Sequence, residues 1–159
     1  MTRDTHITSI NWASHMPLVD AVRSHHDQIQ RDLGLLDGQK RWSYALWRAP
    51  LDVDFWDIDH SQWPKSFLQS GGAADRMMLE VRYIEDDGAQ RQYVVGRPGG
   101  DYLGEPSETV SWTGGREFHV YPNEVFTADE ATDVFYGYFQ NDRVPDEYPL
   151  RRLDFSAYE

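Results

Sequence analysis

The run Asp52-Val53-Asp54-Phe55-Trp56-Asp57-Ile58-Asp59 alternates four carboxylates with apolar and aromatic side chains, and no lysine or arginine follows until Lys65. Paired carboxylates can do two kinds of chemistry. They can act as the acid and base of a glycosidase, or supply hard oxygen ligands to magnesium. On an extended chain, two-residue spacing sets such groups roughly 6–7 Å apart, which suits either role. Extended backbone puts Asp52 and Asp54 on one face with Val53 and Phe55 on the other; beyond Trp56, Asp57 and Asp59 join the side of Phe55. A segment both acidic and sticky also suits docking of a basic partner. The same charges would equally keep a plain edge strand or loop soluble.

Six histidines offer further bases. His25 and His26 are adjacent and point apart on a helix, and His15 lies too far from His26 for a metal pair four residues apart. Asp57 and His60 can meet on a helical turn. A cleft that gathered Asp57, His60 or His119 between a sheet and the 52–76 segment would define a small hydrolase. Absent cysteine removes thiolate nucleophiles, thiolate zinc sites and disulfides. There is no Walker loop, no Gly-x-Gly-x-x-Gly and no Gly-x-Ser-x-Gly. The Gly-rich stretch Arg97–Gly104 can cradle an anion on backbone amides or simply join strands. No catalytic residue, metal or cofactor is assigned.

The chain of 159 residues carries 27 acidic and 15 basic side chains, a net charge of -12. That field opposes nucleic acid and anionic lipid and speeds encounter with a cationic protein. The N-terminal Met1–His6 leads into no long apolar run, and no stretch approaches the roughly 20 residues that span a bilayer. A cytoplasmic location is the expectation. Six Trp and nine Tyr supply both core and potential interface anchors.

Periodicity predicts the elements that would position these groups. Ile7–Trp12 and Trp42–Trp47 read as strands. A helix is predicted from about Pro17 to Leu33, with Leu18, Val22, Ile29 and Leu33 on one stripe and Val19 and His26 beside it. Residues 60–76 read as a loop with a helical turn near Phe67-Leu68. Met77–Ile84 places Leu79, Val81 and Tyr83 on one face and Glu80 and Arg82 on the other. Asp86-Asp87-Gly88 turns it into Gln90–Val95. A second hairpin joins Thr109–Thr113 to Arg116–Tyr121 through Gly114-Gly115, with Val110, Trp112, Phe118 and Val120 inward and His119 and Tyr121 outward. Thr127 and Glu130 form a capping box, flanked by the staple pair Phe126 and Ala131. The helix they open buries Ala131, Val134, Phe135, Tyr138 and Phe139. Tyr148–Phe155 adds a last strand. The predicted fold is α+β: one domain over 1–159, with a mainly antiparallel sheet and an N-terminal and a C-terminal helix packed on one side.

The succession Tyr93-Val94-Val95-Gly96, His119-Val120-Tyr121, Glu124–Ala131, Phe135-Tyr136-Gly137-Tyr138-Phe139, Val144-Pro145 and Leu150–Leu153 resembles the Imm1 family of immunity proteins from bacterial polymorphic-toxin systems. The resemblance covers about residues 77–155. The last strand departs from the family ending in carrying Leu153 and Phe155 but no tryptophan. The resemblance implies a non-catalytic protein that neutralises a cognate toxin by stoichiometric binding, and the acidic charge suits a nucleic-acid-targeting toxin with a basic surface. On this reading Asp52, Asp54, Phe55, Trp56, Asp57 and Asp59 are the partner-binding residues. The alternatives are the small hydrolase with a carboxylate/histidine cleft and a small-ligand-binding module.

Overall fold

The computed structural model describes residues 5–112 and 116–153. In chain order the elements are β1 (His6–Ile10), β2 (Ser14–Pro17), α1 (His25–Gly34), β3 (Ser43–Arg48), β4 (Phe67–Ala73), β5 (Arg76–Ile84), β6 (Gln90–Val95), β7 (Glu108–Trp112), β8 (Arg116–Val120), α2 (Ala128–Asn141) and β9 (Leu150–Arg152). Seven strands form one sheet in the order β2-β1-β3-β4-β5-β6-β9, with antiparallel pairing throughout. β7 and β8 pair separately.

Both helices lie on one face of the large sheet, the α+β arrangement that the alternation predicts. Tyr44, Leu46, Leu68, Leu79 and Val81 of the sheet form one core with Ile29 and Leu33 of α1 and Ala131, Val134, Phe135 and Tyr138 of α2. α2 starts where its signals put it. The Glu130 amide donates to Thr127 Oγ1 at 3.3 Å and the Thr127 amide to Glu130 Oε1 at 2.9 Å, so two amides without helical acceptors are satisfied reciprocally. α2 ends on Asp142, at φ +57°, whose carboxylate meets His6 Nε2 and Arg48 Nη1, each at 2.9 Å. The helix end is thereby tied to the first and third strands.

The other face of the sheet is covered in two pieces. Val110, Trp112 and Val120 of the β7–β8 hairpin pack on Met78 and Val94. The Trp112 ring occupies the space left by Gly71, where a Cβ would fall 2.0 Å from its carbons. Nearer the other end, Ile7, Trp47, Ile58 and Phe67 form a third cluster with Val53, Phe55 and Trp63 against it.

Beyond shifted strand ends and the unpredicted β2, two elements differ from the sequence expectation. The predicted helix over 17–33 begins only at His25. Pro17 ends β2, Leu18 is buried as extended chain with its amide on the His6 carbonyl, and Val22 is 85% exposed. The true start is Ser24, whose hydroxyl accepts from the Asp27 amide. The predicted loop over 60–76 contains β4, an interior strand between β3 and β5. Its glycines weaken the strand signal, yet Gly71 is there because an indole needs the room. The predicted Gly114-Gly115 turn and Phe155 lie outside the described residues.

Candidate functional site

The acidic run is not extended, which corrects the expected division of its faces. Asp52 turns the chain at φ +60°, and Phe55–Asp57 form a 3₁₀ turn closed by the Asp57 amide on the Asp54 carbonyl at 2.9 Å. Ile58 is buried and Val53 and Phe55 are half-buried in the third cluster, anchoring the segment. Trp56 is thrown outward, 89% exposed, with its ring edge-on to Phe55 at 5.0 Å. Asp52, Asp54, Asp57 and Asp59 are all exposed as well. Asp59 accepts bonds from the Ser61 hydroxyl and amide, which hold its carboxyl below the usual carboxylate range. Asp54 borders a hollow of about 210 Å³ shared with His6, Ile7 and Pro17, without Asp52, Asp57 or Asp59. The four carboxylates and the ring are thus exposed on one short segment, and the hollow beside it is lined by only one of the four.

A second site lies on the sheet face opposite the helices, beside the 60–64 segment. It is a cleft of about 380 Å³ whose lining includes Trp12, His15, His60, Trp63, Phe67 and Arg82. Cross-strand register builds its floor: Phe67 pairs with Arg82, Gln69 with Glu80, and Arg82 with Gln92. Glu80 is 6% exposed. Burial raises its pKa, against the lowering effects of side-chain hydrogen bonds from Gln92 and Gln69 and of the charges on Arg82 and Arg151. The amide nitrogen of Gln92 donates to the Glu80 carboxylate, which turns the amide oxygen to accept from Arg82 Nε at 3.1 Å. Gln69 likewise presents its amide oxygen to Trp12 Nε1 at 2.8 Å. One buried carboxylate thus orients two amides, and those amides fix a guanidinium and an indole.

The imidazoles at the rim are fixed as firmly. Ser9 and His15 are cross-strand partners, with Ser9 Oγ 2.6 Å from His15 Nδ1. Ser9 Oγ also accepts from Trp47 Nε1 at 2.9 Å, which leaves its own proton to donate to His15. The neutral ring then keeps Nε2–H as its remaining donor. Burial and the neighbouring His60 imidazole lower the pKa of His15. The two rings stack at 4.0 Å, tilted by 9°.

The predicted site residues are therefore divided. His60 lines the cleft, but Asp57 and His119 do not; His119 is exposed on β8. Arg97 is held by the Pro122 carbonyl at 3.0 Å and by Glu130 at 3.6 Å, and Gly100 packs on the side chain of Asn123. These contacts give the Gly-rich loop a packing role. Trp12, His15, Gln69, Glu80, Arg82 and Gln92 were not legible as a site. The signal was polar residues of one parity on adjacent strands, and it needed β4 to be read as a strand. Among the described residues no group of three or more His, Asp or Glu is placed to hold a metal, and no helix is long and apolar enough to cross a membrane. No family model matches the chain, and comparison with curated proteins finds no match.

Proposed function

We propose that the protein is a cytoplasmic, non-catalytic immunity-type inhibitor that binds a basic protein toxin through the Asp52–Asp59 segment. The observation that carries this reading is Trp56, 89% exposed on a turn that its neighbours anchor, with four exposed carboxylates in the same run of chain. A large ring held out in water by a buried scaffold costs little entropy to immobilise on docking, and such rings dominate interface energetics. The carboxylates add steering and partner choice. The resemblance of residues 77–155 to Imm1 immunity proteins points the same way. The test is co-purification from the producing cell at low salt, followed by co-expression with any toxin encoded beside the gene. Protection of the cell by this chain, lost in the Trp56→Ala variant, supports the reading. Failure to protect against such a toxin, with no co-purified protein, would sink it.

A further inference from the structure

We infer that the cleft on the sheet face opposite the helices binds a small planar organic monoanion, a carboxylate on a flat ring, with the anion on Arg82 and the ring against the indoles of Trp12 and Trp63. This does not depend on the toxin-binding reading, because the residues are different. Arg82 makes no ion pair among the described residues, although the chain carries a large excess of carboxylates. Its guanidinium lies over the Phe67 ring at 5.2 Å, and its Nε is engaged by Gln92, so the terminal nitrogens are left for a ligand. A planar fork held in this way is suited to bidentate capture of a carboxylate. Glu80, the acid beneath it, is occupied by the two glutamine amides. His15, whose pKa burial lowers and whose Nδ1 accepts from Ser9, adds an Nε2–H donor at the rim rather than a second full charge, which matches a monoanion.

The flat part of the ligand follows from the walls. Trp12, Trp63 and Phe67 line the cleft, and Lys65 Nζ lies 5.1 Å from the Trp63 ring centre. Trp12 adopts φ +53°, a left-handed conformation that a bulky side chain rarely takes. It is held there by its indole bond to Gln69, by edge contact with Phe67 at 5.0 Å, and by the preceding Asn11, whose side chain ties the turn to Lys40, Trp42 and Ser43. Asn11 and Trp12, at φ +54° and +53°, are the central residues of the tight turn joining β1 to β2, closed by the Ala13 amide on the Ile10 carbonyl at 3.0 Å, so the hairpin itself sets the Trp12 indole at the cleft. A cleft of about 380 Å³ suits a small molecule.

The test uses the full chain, labelled with ¹⁵N and titrated with benzoate, and with benzamide as the uncharged control. The expected result is saturable movement of the Trp12 and Trp63 indole signals with benzoate, and about tenfold weaker binding of benzamide, the weight of one charge-assisted hydrogen bond. Arg82→Gln is expected to weaken benzoate by about tenfold and leave benzamide unchanged. Trp63→Ala is expected to weaken both. Equal affinity for benzoate and benzamide on the unaltered chain would overturn the proposal, whether or not the variants fold. So would saturable shifts confined to Trp42 or Trp56, or no saturable shift at all.

Discussion

Glu80 is a carboxylate that the fold keeps out of water, and the consequence is a pH dependence with a definite sign. Its native pKa is raised by burial above the usual 4.5, so the native chain retains a proton that the unfolded chain has released. Its contribution to stability therefore falls as pH rises from 4.5 to the native pKa, and is flat above that. His6 works in the opposite sense. Burial lowers its pKa from 6.5 despite the bond to Asp142, so its contribution is lost as pH falls below 6.5. Because the two groups act in opposite senses, a difference between proteins isolates Glu80. The stability of Glu80→Gln relative to the unaltered chain is expected to improve as pH rises from 4.5, then level off. Urea midpoints of both proteins across that range check this, and a constant difference would show that ionised Glu80 is not disfavoured. Phe135 is a simpler case. It is fully buried against Tyr44 with ring centres 5.4 Å apart, and Phe135→Ala is expected to cost about 3–5 kcal/mol in the same titration. Phe135 was legible because an apolar ring on a helical stripe has one sensible place to go. Glu80 and Arg82 were placed together on the face of β5 opposite Leu79, Val81 and Tyr83, but nothing local told that this face floors a cleft.

The elements divide by how local their specification is. The capping box of α2 is spelled by neighbouring residues and forms as written. Thr127→Ala is expected to lower stability by about 1 kcal/mol and Thr127→Gly by less, because glycine suits the cap backbone even without the hydroxyl. Thermal or urea unfolding of the two variants checks the order, and equal negligible losses would remove the cap from the account. The β5–β6 hairpin is equally local, with the Gly88 amide donating to the Glu85 carbonyl at 2.8 Å across its Asp86-Asp87-Gly88 turn. β4 is not. Gly71 and Gly72 read as a loop, and the strand is secured by β3 on one side, β5 on the other and Trp112 above. α1 shows the reverse error. Leu18 and Val22 extend the helical spacing of Ile29 and Leu33 by coincidence, while the Ser24 cap marks the start.

At the scale of the molecule, the sheet separates two chemistries. One face is sealed by both helices, and the other carries a polar cleft and an acidic turn bearing Trp56. The net charge of -12 was legible and so was the concentration of carboxylates at 52–59. The outward turn of Trp56 was not, because it depends on a left-handed Asp52 and on Ile58 finding the third cluster. These roles separate in kinetics. Replacing Asp52, Asp54, Asp57 and Asp59 together by Asn is expected to leave the fold intact and slow association with the partner. The slowing should be large at low salt and shrink as ionic strength rises, since screening removes long-range attraction first. Trp56→Ala is expected to weaken affinity by about 2 kcal/mol or more, chiefly through faster dissociation and with an unchanged salt slope, because a docked ring is lost rather than a field. Trp56 is exposed, so its removal leaves the core untouched, and equal unfolding midpoints check this. Stopped-flow association and surface-based dissociation rates separate the two effects. A salt-independent loss in the fourfold variant, or full binding by folded Trp56→Ala, would take this segment out of the contact surface.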